Sequence, residues 1–597
     1  MNRARVLLLF VLVALFLAFF ALGLNQYLTL EQVKLRQEQI AGFFAREPAL
    51  AMAGYFAAYV AITSLSLPGA ALMTLLGGAL FGLLWGTVVV SIASTLGATL
   101  AFVASRFLFS EFIKERHGHR LVRISRGFER DGGLYLLTLR LLPVMPFFVV
   151  NLLMGLTPIR LRTFFWVSQI GMLPGTLIYV NVGLQLSQLR SLGDVVSPTM
   201  LGALVALALL PLGARRFLDA LRSRRAYSGY TRPKRFDRNI IVIGAGSAGL
   251  VSAYIAAAVR AKVTLIESER MGGDCLNTGC VPSKALLRAS RLLAQAKKAS
   301  ALGLGRIDID FRFDQVMERV HDAIQKVEPH DSVERYRELG VECIQGKARI
   351  VSPWEVEVQS LKGNQSDRSD VQRLSAPKII VAAGASPCRP DLPEADNIDY
   401  LTSDTVWNLR ELPSPLLVLG GGPIGCELAQ AFARFGASVT LVERRSRLLS
   451  REDDEVSMAV QRALQAEGVD LRLGCDALRF ERQDDGGILH AFEHGRPCQI
   501  AFKKVLCALG RVPNISGYGL EELGIGISEK GSIEVDEFLR TSCPSIYAAG
   551  DVASSYQFTH AASHMAWHAT VNALFGGFRR FSIDWTALPW CTFTDPE

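Results

Sequence analysis

Cysteine is missing from the first 270 residues of this 597-residue chain, although ten occur in all. That excludes a disulfide-stapled N-terminal module of the small secreted kind. Charge is nearly as scarce there: from Arg5 to Phe217 the chain is dominated by Leu, Phe, Val, Ala and Gly. So little charge excludes an ordinary water-facing surface for that half. No second close cysteine pair accompanies Cys275 and Cys280, which excludes a zinc site built from two such pairs. Acidic residues are outnumbered, giving a formal net charge of +8. The excess sits beside apolar segments, at Arg106, Lys114, Arg116, Arg120, Arg123, Arg126 and Arg130, then at Arg215, Arg216, Arg222, Arg224 and Arg225. Glu111, Glu115 and Glu129 offset the first group only in part. Basic residues so placed hold loops on the cytoplasmic side of a membrane, and no nucleic-acid partner is expected.

A prior of about 150 residues per domain suggests about four units. Val6–Leu24 is an uncharged run long enough for a bilayer core of about 30 Å. It exceeds the ~7–15 residues of a usual signal-peptide core, so an uncleaved first helix with its N-terminus inside is expected. Further apolar segments cover Leu50–Leu67, Leu72–Phe109, Leu134–Leu156, Thr163–Gly183 and Met200–Leu212. Gly and Pro interrupt them at Pro68-Gly69, Pro143, Pro146 and Pro174-Gly175. Such breaks read either as kinks in packed helices or as re-entrant loops lining a wet path. Gly78, Gly82, Gly86 and Gly97 recur at near-helical spacing and permit close helix packing. Arg140, Pro143, Pro146 and Asn151 are costly inside an apolar stretch unless they line a pathway or pair internally. With Gly77–Gly82 and Gly171–Gly175, this segment resembles the SNARE-associated, DedA-like (VTT-domain) membrane family over about residues 40–220. The resemblance implies facing re-entrant loops and lipid transport or scrambling.

Arg222–Asp237 is polar, basic and contains Pro233, a linker with attraction to anionic headgroups. Beyond it Asn239–Ile243 suits a buried parallel strand, and Gly244, Gly246 and Gly249 follow at once. A helical pattern runs through Ala258, then a strand, Lys262–Ile266, ending in Glu267. Gly244 makes the tight turn, Gly246 lets backbone approach a pyrophosphate, and Gly249 lets helix and strand pack. The helix start faces the phosphates, and Glu267 can accept from a ribose. The unit recurs as strand Leu416–Leu419, Gly420, Gly422 and Gly425, a helix through Phe435, strand Ser438–Val442, and Glu443. Two dinucleotide sites call for two cofactors, FAD in the first and NAD(P)H in the second.

Between them stands Gly272-Gly273-Asp274-Cys275, then Cys280, Pro282 and Lys284. A close cysteine pair at a helix start reads as redox-active, with the helix dipole and Lys284 favouring thiolate, so both thiols are expected to titrate low. Residues 238–597 resemble the pyridine nucleotide–disulfide oxidoreductases: dihydrolipoamide dehydrogenase, glutathione reductase and, most of all, mercuric reductase. The resemblance implies that Cys275 meets substrate and that Cys280 is the charge-transfer thiol against the flavin. It implies that Lys284 pairs with Glu427 near the reactive flavin edge, so that the catalytic set is Cys275, Cys280, Lys284 and Glu427. It adds Gly273, Ala348, Ala383, Gly384 and Asp551 to the flavin contacts and Gly510 to the nicotinamide side. Hydride would pass from NAD(P)H to flavin, and electrons on to the cysteine pair and substrate.

The family's His-x-His-Pro-x-x-x-Glu stretch, on a dimerisation domain, lies beyond Glu597, so the chain is expected to be part of a longer one that pairs as a homodimer. The N-terminal Cys-x-x-Cys domain and C-terminal vicinal cysteines of mercuric reductases are not seen, which leaves Hg(II) open beside a small disulfide or another electron acceptor. Glu443 favours NADH, while Arg444 and Arg445 suit a 2′-phosphate. His560, His564 and His568 share a helical face; packing and cofactor contact are expected, not a metal. The expected plan is a polytopic α-helical membrane domain (1–221), a basic linker (222–237), an FAD domain with the cysteine pair (238–390), an NAD(P) domain (391–510), a return to the FAD domain (511–580) and the start of a dimerisation domain (581–597). The expected function is a multi-pass inner-membrane oxidoreductase with a cytoplasmic α/β flavoprotein half of two Rossmann-type folds. The alternative is a lipid transporter with a redox-sensing flavoprotein half.

Overall fold

The computed structural model describes residues 46–67, 69–116, 133–141, 145–188, 198–361 and 371–597. The expected first span Val6–Leu24 lies outside the described residues, as do Pro68, Pro143 and residues 117–130 of the basic loop. The chain divides into two compact units, Met1–Arg224 and Arg225–Glu597.

The first unit is helical: α1 (Pro48–Ser64), α2 (Ala70–Arg116), α3 (Gly133–Leu141), α4 (Phe147–Gly155), α5 (Leu161–Gln188) and α6 (Pro198–Ala226). Among the described residues, Ala70–Leu108 and Leu161–Ser187 are long and apolar enough to cross a membrane. Their outward sides are apolar as well, with Leu84 72% and Ile170 63% exposed, as a helix facing lipid requires. Small residues bring these helices together. A Cβ at Gly78 would lie 1.9 Å from the Val180 carbonyl oxygen, and one at Gly97 would lie 1.7 Å from Thr63 Oγ1. Gly82, at φ 72°, instead breaks α2. Pro174 sits inside the continuous α5, so that interruption is not a break in the helix. Pro146 stands at the N-cap of α4.

The second unit contains two large sheets built on parallel strands. The first has the order β17-β6-β1-β2-β3-β4-β5, from β1 (Ile240–Ile243), β2 (Val263–Glu267), β3 (Val341–Ser352), β4 (Glu355–Ser360), β5 (Val371–Ser375), β6 (Ile379–Val381) and β17 (Ile546–Ala548). Its members from β17 to β3 run parallel, and β3, β4 and β5 form an antiparallel meander. Strand β1 is apolar at every position because both faces are covered. Ile240 and Val242 enter the core beneath α7 (Ser247–Ala258) and α13 (Thr559–Phe575); Ile241 and Ile243 enter the opposite one.

The second sheet has the order β11-β10-β9-β15-β8, with β8 (Tyr400–Leu401), β9 (Leu416–Leu419), β10 (Val439–Glu443), β11 (Asp470–Leu473) and β15 (Lys504–Cys507) all parallel. Its strand β9 alternates likewise, sending Leu416 and Val418 to one core and Leu417 and Leu419 to the other. The first of these cores also takes Leu286 and Leu287 of α9 (Cys280–Lys298) and Leu428 and Phe432 of α11 (Pro423–Arg434). The antiparallel strands β12 (Cys475–Gln483), β13 (Gly486–Glu493) and β14 (Arg496–Phe502) cover its other face. Strands β7 (Ala385–Pro387) and β16 (Arg511–Pro513) pair with each other where the chain passes between the two folds.

Candidate active site

Each parallel sheet ends in a glycine turn, and the two turns repeat the same geometry. At the first, Gly244 has φ +98°, and a Cβ there would lie 2.4 Å from the Ala382 oxygen. A Cβ on Gly249 would sit 1.7 Å from the Gly244 oxygen, so only glycine lets α7 approach β1. At the second turn the corresponding distances are 2.4 Å from Gly420 to the Ala508 oxygen and 1.9 Å from Gly425 to the Gly420 oxygen. Gly422 has open space around its missing side chain, while a Cβ on Gly273 would stand 2.6 Å from Gly246 Cα. These open backbones at helix starts suit a pyrophosphate in each fold.

The two acids match as well. Glu267 accepts from the N–H groups of Ala245 (2.6 Å) and Glu269 (2.7 Å), and burial raises its carboxyl above the usual range against the pull of those bonds. Glu443 accepts from Gly421 (2.7 Å) and Arg445 (2.8 Å). One cavity of about 3250 Å³ joins the two turns, well above the ~300–1,000 Å³ of a site for one small ligand. Gly244, Gly246, Glu267, Gly273, Ala348, Ala383, Gly384 and Asp551 line its flavoprotein-sheet end. Gly420, Gly422, Glu443 and Gly510 line the other end, while Gly249 and Gly425 stand behind as packing positions.

Between the ends lie the two cysteines, on α8 (Gly273–Asn277) and at the first residue of α9. Both are half-buried free thiols. The Cys280 sulfur lies 3.2 Å from Thr559 Oγ1, at the start of α13. Its pKa is lowered to about 6, first by the hydrogen bond from Cys275 and then, against burial, by Thr559 and the Lys284 charge. Cys275 is pushed the opposite way, since it keeps the proton that it donates and is partly desolvated. The expectation of two low thiols therefore fails: a close pair shares one proton, and a second thiolate would face the first.

Lys284 Nζ stands 3.5 Å from Glu427 Oε2 and 4.0 Å from the Phe593 ring centroid. Glu427, on α11, also accepts from the Phe593 N–H at 2.9 Å. Burial raises Asp551 to about 6, although Arg511 opposes this. Arg511 Nε is 3.9 Å from Asp551 Oδ2, and its Nη2 bonds Asp274 and the Ala385 carbonyl. Arg511 was legible only as a neighbour of Gly510, with nothing to show that its charge enters the flavin end. His560 and His564 donate from Nε2 to the carbonyls of Pro589 (2.6 Å) and Asp584 (3.1 Å), and no group of metal-ligating side chains forms among the described residues.

In the first unit Arg140 donates to Asn151 Oδ1 (2.7 Å) and Ser168 Oγ (3.1 Å) and lies 5.3 Å from the rings of Phe147 and Phe164. Among the described residues these partners are neutral, and the buried Asn151 Nδ2 has none. Pro146 is near in sequence but enters none of these bonds.

Comparison with known proteins agrees with both halves. Residues 67–185 match the VTT domain, and residues 238–566 match the pyridine nucleotide-disulphide oxidoreductases. The chain is 34% identical over 362 residues to the mercuric reductase of Bacillus cereus, covering 61% of this chain and 55% of that one. It is 31% identical to the dihydrolipoyl dehydrogenase of Bacillus subtilis (60% of this chain, 76% of that one). It is 34% identical to the glutathione reductase of Burkholderia cepacia (61% and 77%). A solved copper(II) complex of a mutant of the HOCl-induced flavoprotein disulfide reductase RclA from Escherichia coli is similar at a TM-score of 0.50 and 27% identity, covering 58% of this chain and 73% of that one. The chain thus spans little more than half the length of the Bacillus cereus mercuric reductase. With a doubled glycine turn, a paired-cysteine helix start and a match over residues 238–566, this chain belongs to the pyridine nucleotide-disulphide oxidoreductase family, whose members use FAD and NAD(P)H, and it carries a VTT domain ahead of that fold.

Proposed function

We propose that the chain is a membrane-tethered NAD(P)H-dependent oxidoreductase that delivers electrons through Cys275 and Cys280 to a small disulfide, a metal ion or another acceptor. The observation that carries this reading is the pair itself: two free, half-buried thiols, one at the first residue of α9, lining the cavity that joins two dinucleotide-shaped turns. Gly244, Gly246, Gly273, Glu267, Ala348, Ala383, Gly384 and Asp551 would hold FAD, with Lys284 at its reactive edge, and Gly420, Gly422, Glu443 and Gly510 would hold NAD(P)H. FAD bound there supplies two-electron chemistry between the nicotinamide and a disulfide.

The chain's own residues then divide the work. Thr559 donates to the Cys280 sulfur and, with Lys284, keeps it ionised near neutral pH. Cys275 keeps its proton until an acceptor arrives, and losing that proton arms it as the attacking thiolate. Glu427 holds Lys284 on the cavity wall through their 3.5 Å contact. Purified full-length protein should be yellow and should oxidise NAD(P)H with one of a disulfide, Hg(II) or a quinone. A folded, colourless protein inert toward all three overturns the reading.

The second reading, lipid transport with a redox-sensing flavoprotein half, is favoured by Arg140, a half-buried cation with neutral partners inside the apolar unit. A membrane lipid as partner belongs to this second reading, while a multi-pass topology with the flavoprotein half in the cytoplasm and homodimerisation belong to the first proposal as well.

A further inference from the structure

The two redox cysteines are joined by residues 276–279, and neither helix holds this whole joint, because α8 ends at Asn277 and α9 begins at Cys280. Asn277 is tied locally, its Nδ2 donating to the Met271 and Gly273 carbonyls at 2.9 Å each. Thr278 is tied locally through its N–H to the Asp274 carbonyl (2.9 Å), while its buried hydroxyl has no partner. The hydrogen bond that reaches residues 276–279 from a distant part of the chain, among the described residues, comes from Trp407. Its Nε1 donates to the Thr278 carbonyl at 2.9 Å and shares that proton with the Ser403 carbonyl at 2.6 Å. Trp407 is 4% exposed and belongs to the core that contains Leu286, Leu287, Leu428 and Phe432, so its indole is a rigid post.

We infer that Trp407 is a positioning residue for the redox pair: its N–H holds the Thr278 carbonyl so that the two sulfurs meet at disulfide geometry. This rests on the reading that Cys275 and Cys280 cycle between dithiol and disulfide. A disulfide tolerates a narrow range of Cα separations and torsions. A dithiol already held near that geometry loses little conformational freedom on closing. When the post is removed the joint gains freedom in the dithiol state, whereas the S–S bond still closes it in the disulfide state. The balance moves toward the dithiol, and the pair becomes easier to reduce.

The test equilibrates full-length protein with glutathione buffers, then alkylates and weighs the peptide carrying both cysteines. In each exchange two glutathione thiols lose two electrons and two protons to become one glutathione disulfide. The Cys275–Cys280 bond breaks and takes up those electrons and protons. Trp407→Phe should shift the equilibrium about tenfold toward the dithiol, which is ~30 mV upward for a two-electron couple. Replacing the indole of Trp407 by benzothiophene, which keeps the shape and removes only the N–H, should give the same shift. This second variant decides the matter if the phenylalanine variant does not fold. A wild-type value for the benzothiophene protein would assign any effect to packing and overturn the proposal. If the wild-type pair never titrates as a two-electron couple, the redox reading falls and this proposal falls with it.

Discussion

Cys280 and Cys275 are chemically alike and only five positions apart, yet the structure drives their proton affinities in opposite directions. Whichever sulfur ionises first is stabilised by the proton left on the other. Thr559 favours ionisation of either sulfur, and the Lys284 charge, which acts on Cys280, settles which one that is. In the reduced protein, alkylation of Cys280 should therefore rise with pH around a midpoint of about 6. Cys275→Ala should move that midpoint up toward the free-thiol value of about 8.5, and Thr559→Val should move it the same way by less. An unchanged midpoint in both variants would refute the shared proton. The sign for stability follows from the same lowering. A thiol whose folded value lies below its unfolded one adds stability above the unfolded value, and loses it as pH falls through about 6. In the apolar helical unit the comparable residue is Arg140. Arg140→Ala would leave the buried Asn151 side chain without its partner, and an orphaned buried polar group costs about 1–3 kcal/mol. The melting temperature of the detergent-solubilised protein should fall accordingly; an unchanged value would show that the pair contributes nothing.

Among elements, the two glycine turns are positions where the helix start has no room for a side chain. Gly249→Ala and Gly425→Ala would each drive a methyl into a backbone oxygen less than 2 Å away, at 1.7 Å and 1.9 Å. Overpacking of this kind costs about 1–3 kcal/mol. It should weaken binding at the affected turn by roughly tenfold or more, since 1.4 kcal/mol is a factor of ten. The two variants should separate: Gly249→Ala lowers flavin absorbance per protein, while Gly425→Ala keeps the colour and raises the NAD(P)H concentration needed for half-saturation. If Gly425→Ala lost the flavin, the assignment of cofactors to turns would be wrong. These turns were legible because strand, turn, helix and acid lie within about 30 residues. The breaks in the apolar half were less legible. A proline in sequence looks the same whether it lies inside a continuous helix, as Pro174 does, or at a helix start, as Pro146 does. Packing around it, and not its own chemistry, decides.

At the scale of the whole molecule, the proposed cytoplasmic placement of the flavoprotein half rests on the basic residues that crowd 106–130 and 215–235, through the positive-inside rule. A reporter active only in the periplasm, fused after Asp237, should be silent, and one active only in the cytoplasm should report. The reverse pattern would place the flavoprotein half outside. The sequence by itself determined the division into an apolar half and a more polar α/β half, the two glycine turns followed by Glu267 and Glu443, and the close cysteine pair at a helix start. All of these are written in hydrophobic runs and short-range spacing, which act through local backbone geometry. Only the tertiary structure decided which thiol keeps the proton, that Arg511 reaches toward Asp551, and that Trp407 holds the Thr278 carbonyl. Each of those depends on burial and on partners brought from distant parts of the chain, as Trp407 is from Thr278 across 129 positions. No local pattern encodes such a meeting, because it is the packing of one sheet and its helices against another that brings the two groups within reach.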